Sequence, residues 1–327
     1  MGFYQKIPPK MNEIIVGIGI MILFLFAVLF PAYQTDLLLI LGGFGLAAFK
    51  IMPSINRMMY SLILIKNVSY VISELKSIKN IKIQAFQEVS PLTFEKELAF
   101  KNISYQYPSS SNKVIKELSF TIKKGETVGF IGESGAGKST LLNLILRFVT
   151  ETSGNVEIDG VKLVSELGPN YQKLIGYVPQ EVFIKEGTLR ENIAFGDNTE
   201  DIDDKSILKA VKDAAMLDFV NNHPDGLDMQ LGENGADLSG GQKQRIGIAR
   251  VIYQDAPIMV FDEITSALDK DTEKSIIETI GQLANQNKTI IIVAHRLSTL
   301  EMANRIYELN NGEIANIYQF KELATLN

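Results

Sequence analysis

The stretch TVGFIGESGAGKST, Thr127 to Thr140, decides how the rest of the chain is read. An apolar, β-rich run ends at Gly132, and the pattern G-x-x-x-x-G-K-[ST] follows from there to Ser139. Helix-favouring residues come next, from Ser139 to Phe148. Each position has a physical reason. Glycines let backbone N–H groups turn inward around phosphate oxygens, where a Cβ would obstruct them. Lys138 supplies a point charge, and the Ser139 hydroxyl can coordinate Mg²⁺. The helix start adds the partial positive charge of its unpaired N–H groups. Gly132, Glu133, Ser134, Gly135, Ala136, Gly137, Lys138, Ser139 and Thr140 are therefore a candidate phosphate cradle.

Outward from this loop, short β-rich runs alternate with helical ones. KLIGYV (173–178), PIMVFD (257–262) and TIIIVA (289–294) read as strands, and 272–283 reads as a helix. Such alternation predicts an α/β fold around a largely parallel, buried sheet. Near the end, YELNNGEIANIY (307–318) reads as a hairpin turning at Asn311-Gly312. A phosphate cradle also needs an acid for its metal. Asp262 falls at the C-terminal end of a strand, where parallel sheets bind ligands, and it suits Mg²⁺ through water. Glu263 follows as a candidate to polarise an attacking water. Alone, two acids after a strand would be the cap region of the next helix; beside a phosphate cradle they gain a chemical task.

A second helix start is also suited to an anion. In DLSGGQKQR (237–245), Ser239 to Gln242 fits the capping box S-x-x-Q, and glycines occupy the first turn. With this stretch, the sequence from about Leu98 onward resembles the ATP-binding cassette (ABC) transporter ATPases. LSGGQ (238–242) matches that family's signature motif, YVPQE (177–181) sits where its Q-loop belongs, and SALD (266–269) matches its D-loop. VAHRLST (293–299) places His295 at the switch histidine, ISYQYP (103–108) places Tyr107 where an aromatic ring stacks on adenine, and LGENG (231–235) looks like the exporters' extra loop.

The resemblance implies a P-loop NTPase fold: an ABC ATPase core with a β-subdomain and a helical signature subdomain. It implies ATP and Mg²⁺ as cofactors. Tyr107 and residues 132–140 would bind ATP, while Ser139, Gln180 and Asp262 would face Mg²⁺. Glu263, His295 and Gln180 would act in catalysis, and Ser266 and Asp269 would form the D-loop. Ser239, Gly240, Gly241 and Gln242 would contact the γ-phosphate held by another subunit. The ATPase domain would thus pair as a homodimer or heterodimer.

Composition sets outer limits. Of 327 residues, 46% are hydrophobic and 21% charged, which excludes a disordered chain. A net charge of −6 argues against nucleic acid as a partner, and the lack of cysteine excludes disulfides and thiolate metal sites. The apolar residues concentrate near the start. IIVGIGIMILFLFAVLF (14–30) and LLLILGGFGLAAF (37–49), joined by PAYQTD, read as an all-α transmembrane hairpin with spans about 12–31 and 37–52. A second apolar run, and no small-x-small cleavage pattern, speak against a signal peptide. Lys6 and Lys10 before the hairpin, and Lys50, Arg57, Lys66 and Lys76 after it, put both ends in the cytoplasm.

Pro53 fits a kink or a helix start, and apolar residues at steps of three and four from Ile55 to Leu75 predict an amphipathic helix ending near Leu75. The expected plan is a partial transmembrane domain (1–78), a linker (79–94) and an ABC ATPase domain (95–327), integral to a membrane with the ATPase domain cytoplasmic. By resemblance, the hairpin matches the last two of an exporter's six helices. Export or flipping then requires another polypeptide to supply the remaining helices, or a chain that is a truncated half-transporter. The alternative is a membrane-anchored ATPase, or a remnant, without its own path. IMPSINR (51–57) is similar to exporters of lipid-linked saccharides, which makes a lipid-linked saccharide or a lipid one candidate substrate and membrane lipid an expected partner, with the substrate itself left open.

Overall fold

A computed structural model describes residues 14, 16–22, 24–26, 28–30, 34–79, 92–108, 110–266, 268–294 and 296–326. The chain divides into two units, 1–85 and 86–327.

In the first unit the described residues between 14 and 29 are helical, and one helix, α1 (Gln34–Lys79), follows. Pro53 lies inside α1, so it does not start a helix. Lys50, Met52, Arg57, Met58 and Met59 favour helix around it, and the chain stays helical although proline lacks an N–H and its ring crowds the preceding turn. The helix also runs past the expected end near Leu75. Its apolar residues do not form one stripe: Tyr60, Leu62, Leu64, Ile65, Tyr70 and Val71 point in all directions and are exposed within this chain. Among the described residues no helix is long and apolar enough to cross a membrane. The spanning hairpin expected over 12–31 and 37–52 is therefore not found there. From Leu37 to Phe49 the apolar run gives about 20 Å of helix before Lys50, against roughly 30 Å of hydrocarbon core. Parts of the first span, and residues 80–91 of the expected linker, lie outside the described residues.

The second unit is built on strand β3 (Thr127–Gly132). On one side of it lie β10 (Thr289–Val293), β9 (Ile258–Asp262) and β6 (Ile175–Val178); on the other lie β11 (Arg305–Asn310) and β12 (Glu313–Tyr318). Every neighbouring pair is parallel except β11–β12. That pair is the expected hairpin, with Asn311 and Gly312 both at positive φ (48° and 84°). A second, antiparallel sheet runs in the order β2 (Ile115–Lys123), β1 (Glu97–Tyr105), β4 (Ser153–Ile158), β5 (Val161–Lys162). Between β6 and β9 the chain inserts a helical region, α4 (Leu189–Ile193), α5 (Asp204–Asp213), α6 (Leu217–Asn221) and α7 (Gly240–Tyr253), with the short pair β7 (Gly187–Thr188) and β8 (Gln230–Leu231). The remaining helices are α2 (Lys138–Ile145), α3 (Gly168–Gln172), α8 (Lys270–Asn285) and α9 (Phe320–Leu326).

Side chains alternate along a strand, so the parallel sheet has two apolar faces. Met259, Phe261, Ile290 and Ile292 pack with Ile246, Ile248, Ile276 and Ile280 of α7 and α8. Ile258, Val260, Ile291 and Val293 face the other way, onto Leu141 and Leu144 of α2 and Phe100 and Phe120 of the antiparallel sheet. Each such side chain contributes about 1.5–3 kcal/mol when fully buried. Two covered faces explain why IMVF and TIIIV are apolar without a break. The helix expected over 139–148 stops early, because Arg147 takes φ 56° and turns its guanidinium inward to Glu151 and the Leu163 carbonyl. The C-terminal ends of β3, β9 and β6 then carry the phosphate loop, the acidic pair and Gln180 along one edge of the sheet.

Candidate functional site

The loop from Gly132 to Gly137 joins β3 to α2. Gly137, immediately before α2, sits at φ 105°, and a Cβ there would lie 3.1 Å from Ile115 Cδ1. A residue with a side chain would be both strained and crowded. No side chain caps α2, so its first N–H groups are left for another acceptor. Lys138 is buried, and its ammonium donates to the carbonyls of Gly132 (2.7 Å) and Glu133 (3.1 Å). It thus lies folded along the loop it would serve. Glu133, Ser134, Gly135 and Ser139 are exposed. A cavity of about 280 Å³ is lined by Ser134, Gly135, Gly137, Lys138, Ser139, Thr140, Val114 and Glu263. The structure therefore brings Glu263 to the phosphate loop across 126 to 131 positions of sequence.

Tyr107 stands beside this loop. Its hydroxyl lies 3.2 Å from that of Thr140, and its ring meets Tyr105 edge-on at 5.0 Å. Glu263 follows β9 at φ 47°, the left-handed region, with its N–H donating to the Val293 carbonyl (2.9 Å). A non-glycine residue there costs about 1–3 kcal/mol, held by the surrounding hydrogen bonds. The Gln180 amide donates to Glu263 Oε2 (3.1 Å) and Ser266 Oγ (3.3 Å), joining the Q-loop, the acid and the D-loop.

One contact was not legible in the sequence. The Tyr177 hydroxyl donates to Asp262 Oδ2 at 3.2 Å. Burial, then the neighbouring Asp262 charge and this bond, push the phenol well above its ordinary range and keep it a donor. Its sole sequence signal is its place three residues before Gln180.

At the other helix start, Ser239 and Gln242 form the predicted capping box: Ser239 Oγ accepts from Gln242 N (3.2 Å), and Gln242 Oε1 accepts from Ser239 N (2.8 Å). Ser239 and Gly240 are exposed, while Gly241 is buried. Gly240 lines a different cavity, of about 390 Å³, with Gln180, Asn234, Lys243, Ser266 and Leu268 among its walls. The phosphate loop and the signature thus open into separate cavities. Asp269 caps α8, accepting from Thr272 N (3.1 Å); the Thr272 side chain, and then this backbone bond, hold its carboxyl below the usual carboxylate range. His295 lies outside the described residues. Its neighbours are tied down: Arg296 and Ser298 both bond Glu273 of α8, and the buried Thr299 and Thr265 hydroxyls meet at 3.0 Å. None of Glu273, Thr265 and Thr299 stands out in the sequence.

The oxygen donors suit Mg²⁺. Among the described residues no group of three or more His, Cys, Asp or Glu forms a metal cage. A hydroxyl (Ser139), a carboxylate (Asp262) and an amide (Gln180) are a sparse, hard donor set. Mg²⁺ prefers such a set when phosphates and water complete its shell.

Residues 115–266 match the family model described as ABC transporter. An ATP-dependent lipid A-core flippase of Pasteurella multocida is 39% identical over 230 residues, 70% of this chain and 39% of that protein. A putative multidrug export ATP-binding/permease protein of Staphylococcus aureus is 42% identical over 222 residues, 68% of this chain and 38% of its own length. The solved structure of a bacterial Atm1-family ABC exporter with ATP bound aligns with a TM-score of 0.69 and 30% identity, over 88% of this chain and 50% of that one. The chain spans about two-fifths of the length of these curated relatives.

Proposed function

Because residues 115–266 of this chain belong to the ABC transporter family, we propose that the chain hydrolyses Mg-ATP between two ATPase domains paired head to tail, and that hydrolysis drives export or flipping of a lipid or lipid-linked saccharide. The observation that carries the paired arrangement is the separation of the two anion-suited helix starts. One chain offers α2 to one cavity and the signature end of α7 to another. A second copy, turned over, would bring its Ser239, Gly240, Gly241 and Gln242 to the phosphate held by the first.

In this reading Lys138 leaves the Gly132 and Glu133 carbonyls for phosphate oxygens. Tyr107 offers its ring to adenine, and residues 133–139 donate backbone N–H groups. Ser139, Asp262 and Gln180 would hold Mg²⁺, which neutralises charge on the phosphates. Glu263 accepts a proton from the attacking water, with Gln180 and His295 orienting the γ-phosphate end. Because the second subunit's contacts exist only when the pair is closed, ATP favours the closed state by their free energy, and hydrolysis removes that preference. Lipid as the transported class is supported by the flippase relative and by IMPSINR (51–57). A membrane location and a partner polypeptide supplying further helices belong to the same proposal.

Glu263→Gln should lower turnover by about 10²–10⁴ as expected for loss of a general base, leaving ATP binding intact. Lys138→Ala should instead abolish binding. Calorimetry and a phosphate-release assay on the purified chain test both; parental turnover in the first variant, or tight binding in the second, overturns the assigned chemistry.

A further inference from the structure

Tyr177 has no role in the mechanism above, although it touches the acid on which metal binding depends. Strand β6 pairs with β9 in register, Tyr177 beside Val260 and Val178 beside Phe261. Asp262 lies two residues beyond Val260 and so projects on the same face as Tyr177. Diagonal neighbours on adjacent strands are about 7–8 Å apart, within reach of a long aromatic side chain. The Tyr177 hydroxyl spans that gap and donates to Asp262 Oδ2 at 3.2 Å. Its ring is half-buried and walled edge-on by Phe148 at 6.3 Å, which limits where the hydroxyl can point. A phenylalanine would fill the same space, so packing alone does not call for the hydroxyl. The same strand leads on to Gln180, which holds Glu263. One segment of chain, 177–180, thus bonds both acids of the β9 end.

We propose that Tyr177 is a positioning residue for the metal-facing carboxylate: its donated hydrogen bond fixes one oxygen of Asp262 and so presets the orientation in which the other meets Mg²⁺ or its water. This rests on the nucleotide-binding reading of the same site. Hydrogen-bond partners of ligating carboxylates set metal affinity by orienting the ligand, and their loss typically costs about 10–100-fold.

The test is Tyr177→Phe in the full chain. Binding of a non-hydrolysable ATP analogue is measured by calorimetry with Mg²⁺ and with EDTA, and the Mn²⁺ complex by electron paramagnetic resonance. The variant should bind the analogue in EDTA as the parent does, while the gain in affinity on adding Mg²⁺ shrinks about tenfold, the low end of that range. The Mn²⁺ spectrum should change line shape. In an Asp262→Ala background, adding Tyr177→Phe should change nothing further. An unchanged Mg²⁺ gain and Mn²⁺ spectrum, or an equal loss in the Asp262→Ala background, overturns the role of Tyr177 alone. A parent chain that binds no analogue in either medium overturns the nucleotide reading, and this role with it.

Discussion

Tyr107 shows how one side chain can serve two purposes that a sequence cannot separate. Its ring is the expected platform for adenine, while its hydroxyl meets Thr140 in the phosphate loop at 3.2 Å. If the ring face carries the affinity, Tyr107→Phe should bind ATP within about twofold of the parent, since every aromatic ring keeps a π-face. Tyr107→Ala should lose about 1–3 kcal/mol, the worth of one base-stacking ring. Titration of both variants with ATP separates the roles; a Phe variant as weak as the Ala variant would mean the hydroxyl matters and the ring does not. Glu263 is the other residue whose place is unexpected, because its left-handed backbone is strained for a side chain. Strain at that point is consistent with a position fixed by chemistry rather than by stability.

Among the elements, β6 and α7 pack against each other at a glycine. The backbone of Gly176 approaches α7 so closely that an added Cβ would lie 2.2 Å from Val251 Cγ1 of that helix, and 3.1 Å from Ala256 Cβ just beyond its end. Gly176→Ala should therefore destabilise the second unit by about 1–3 kcal/mol, the usual cost of overpacking. Denaturant unfolding of the variant measures this, and an unchanged midpoint would show that α7 is not seated on β6. The consequence reaches function: β6 leads into Gln180, and α7 begins at the signature. Their contact fixes how far the Q-loop stands from Ser239. Helix α8 plays a similar part, since Asp269 caps it while Glu273 holds Arg296 and Ser298 beside the switch position.

At the level of the whole molecule, the two anion-suited helix starts of one copy open into separate cavities, so under the proposed pairing a second copy completes each nucleotide site. Glu263→Gln chain with saturating Mg-ATP in a membrane mimic should sediment as a dimer and return to monomer when Mg²⁺ is chelated. Analytical ultracentrifugation reads both states. A chain that stays monomeric throughout would remove the reason for the signature to carry two glycines at a capped helix start.

Much of this was present in the order of residues. The phosphate loop, the acidic pair at the end of β9, the capping box at Ser239 and the turn at Asn311-Gly312 are local patterns, fixed by backbone geometry over a few positions, so sequence alone determined them. The alternation of apolar strands and helices likewise determined a parallel sheet covered on both faces. Tertiary structure alone decided what meets across the sheet edge: Tyr177 with Asp262, Gln180 with Glu263, Glu273 with the switch segment, and the two helix starts opening into different cavities. It also replaced the expected one-sided stripe of α1 with apolar residues on every side, and stopped α2 three residues early at a left-handed Arg147. Those outcomes depend on strand register and on side chains up to 85 positions apart, as Tyr177 and Asp262 are. Periodicity within one element carries no information about which residue of a distant strand will lie beside it.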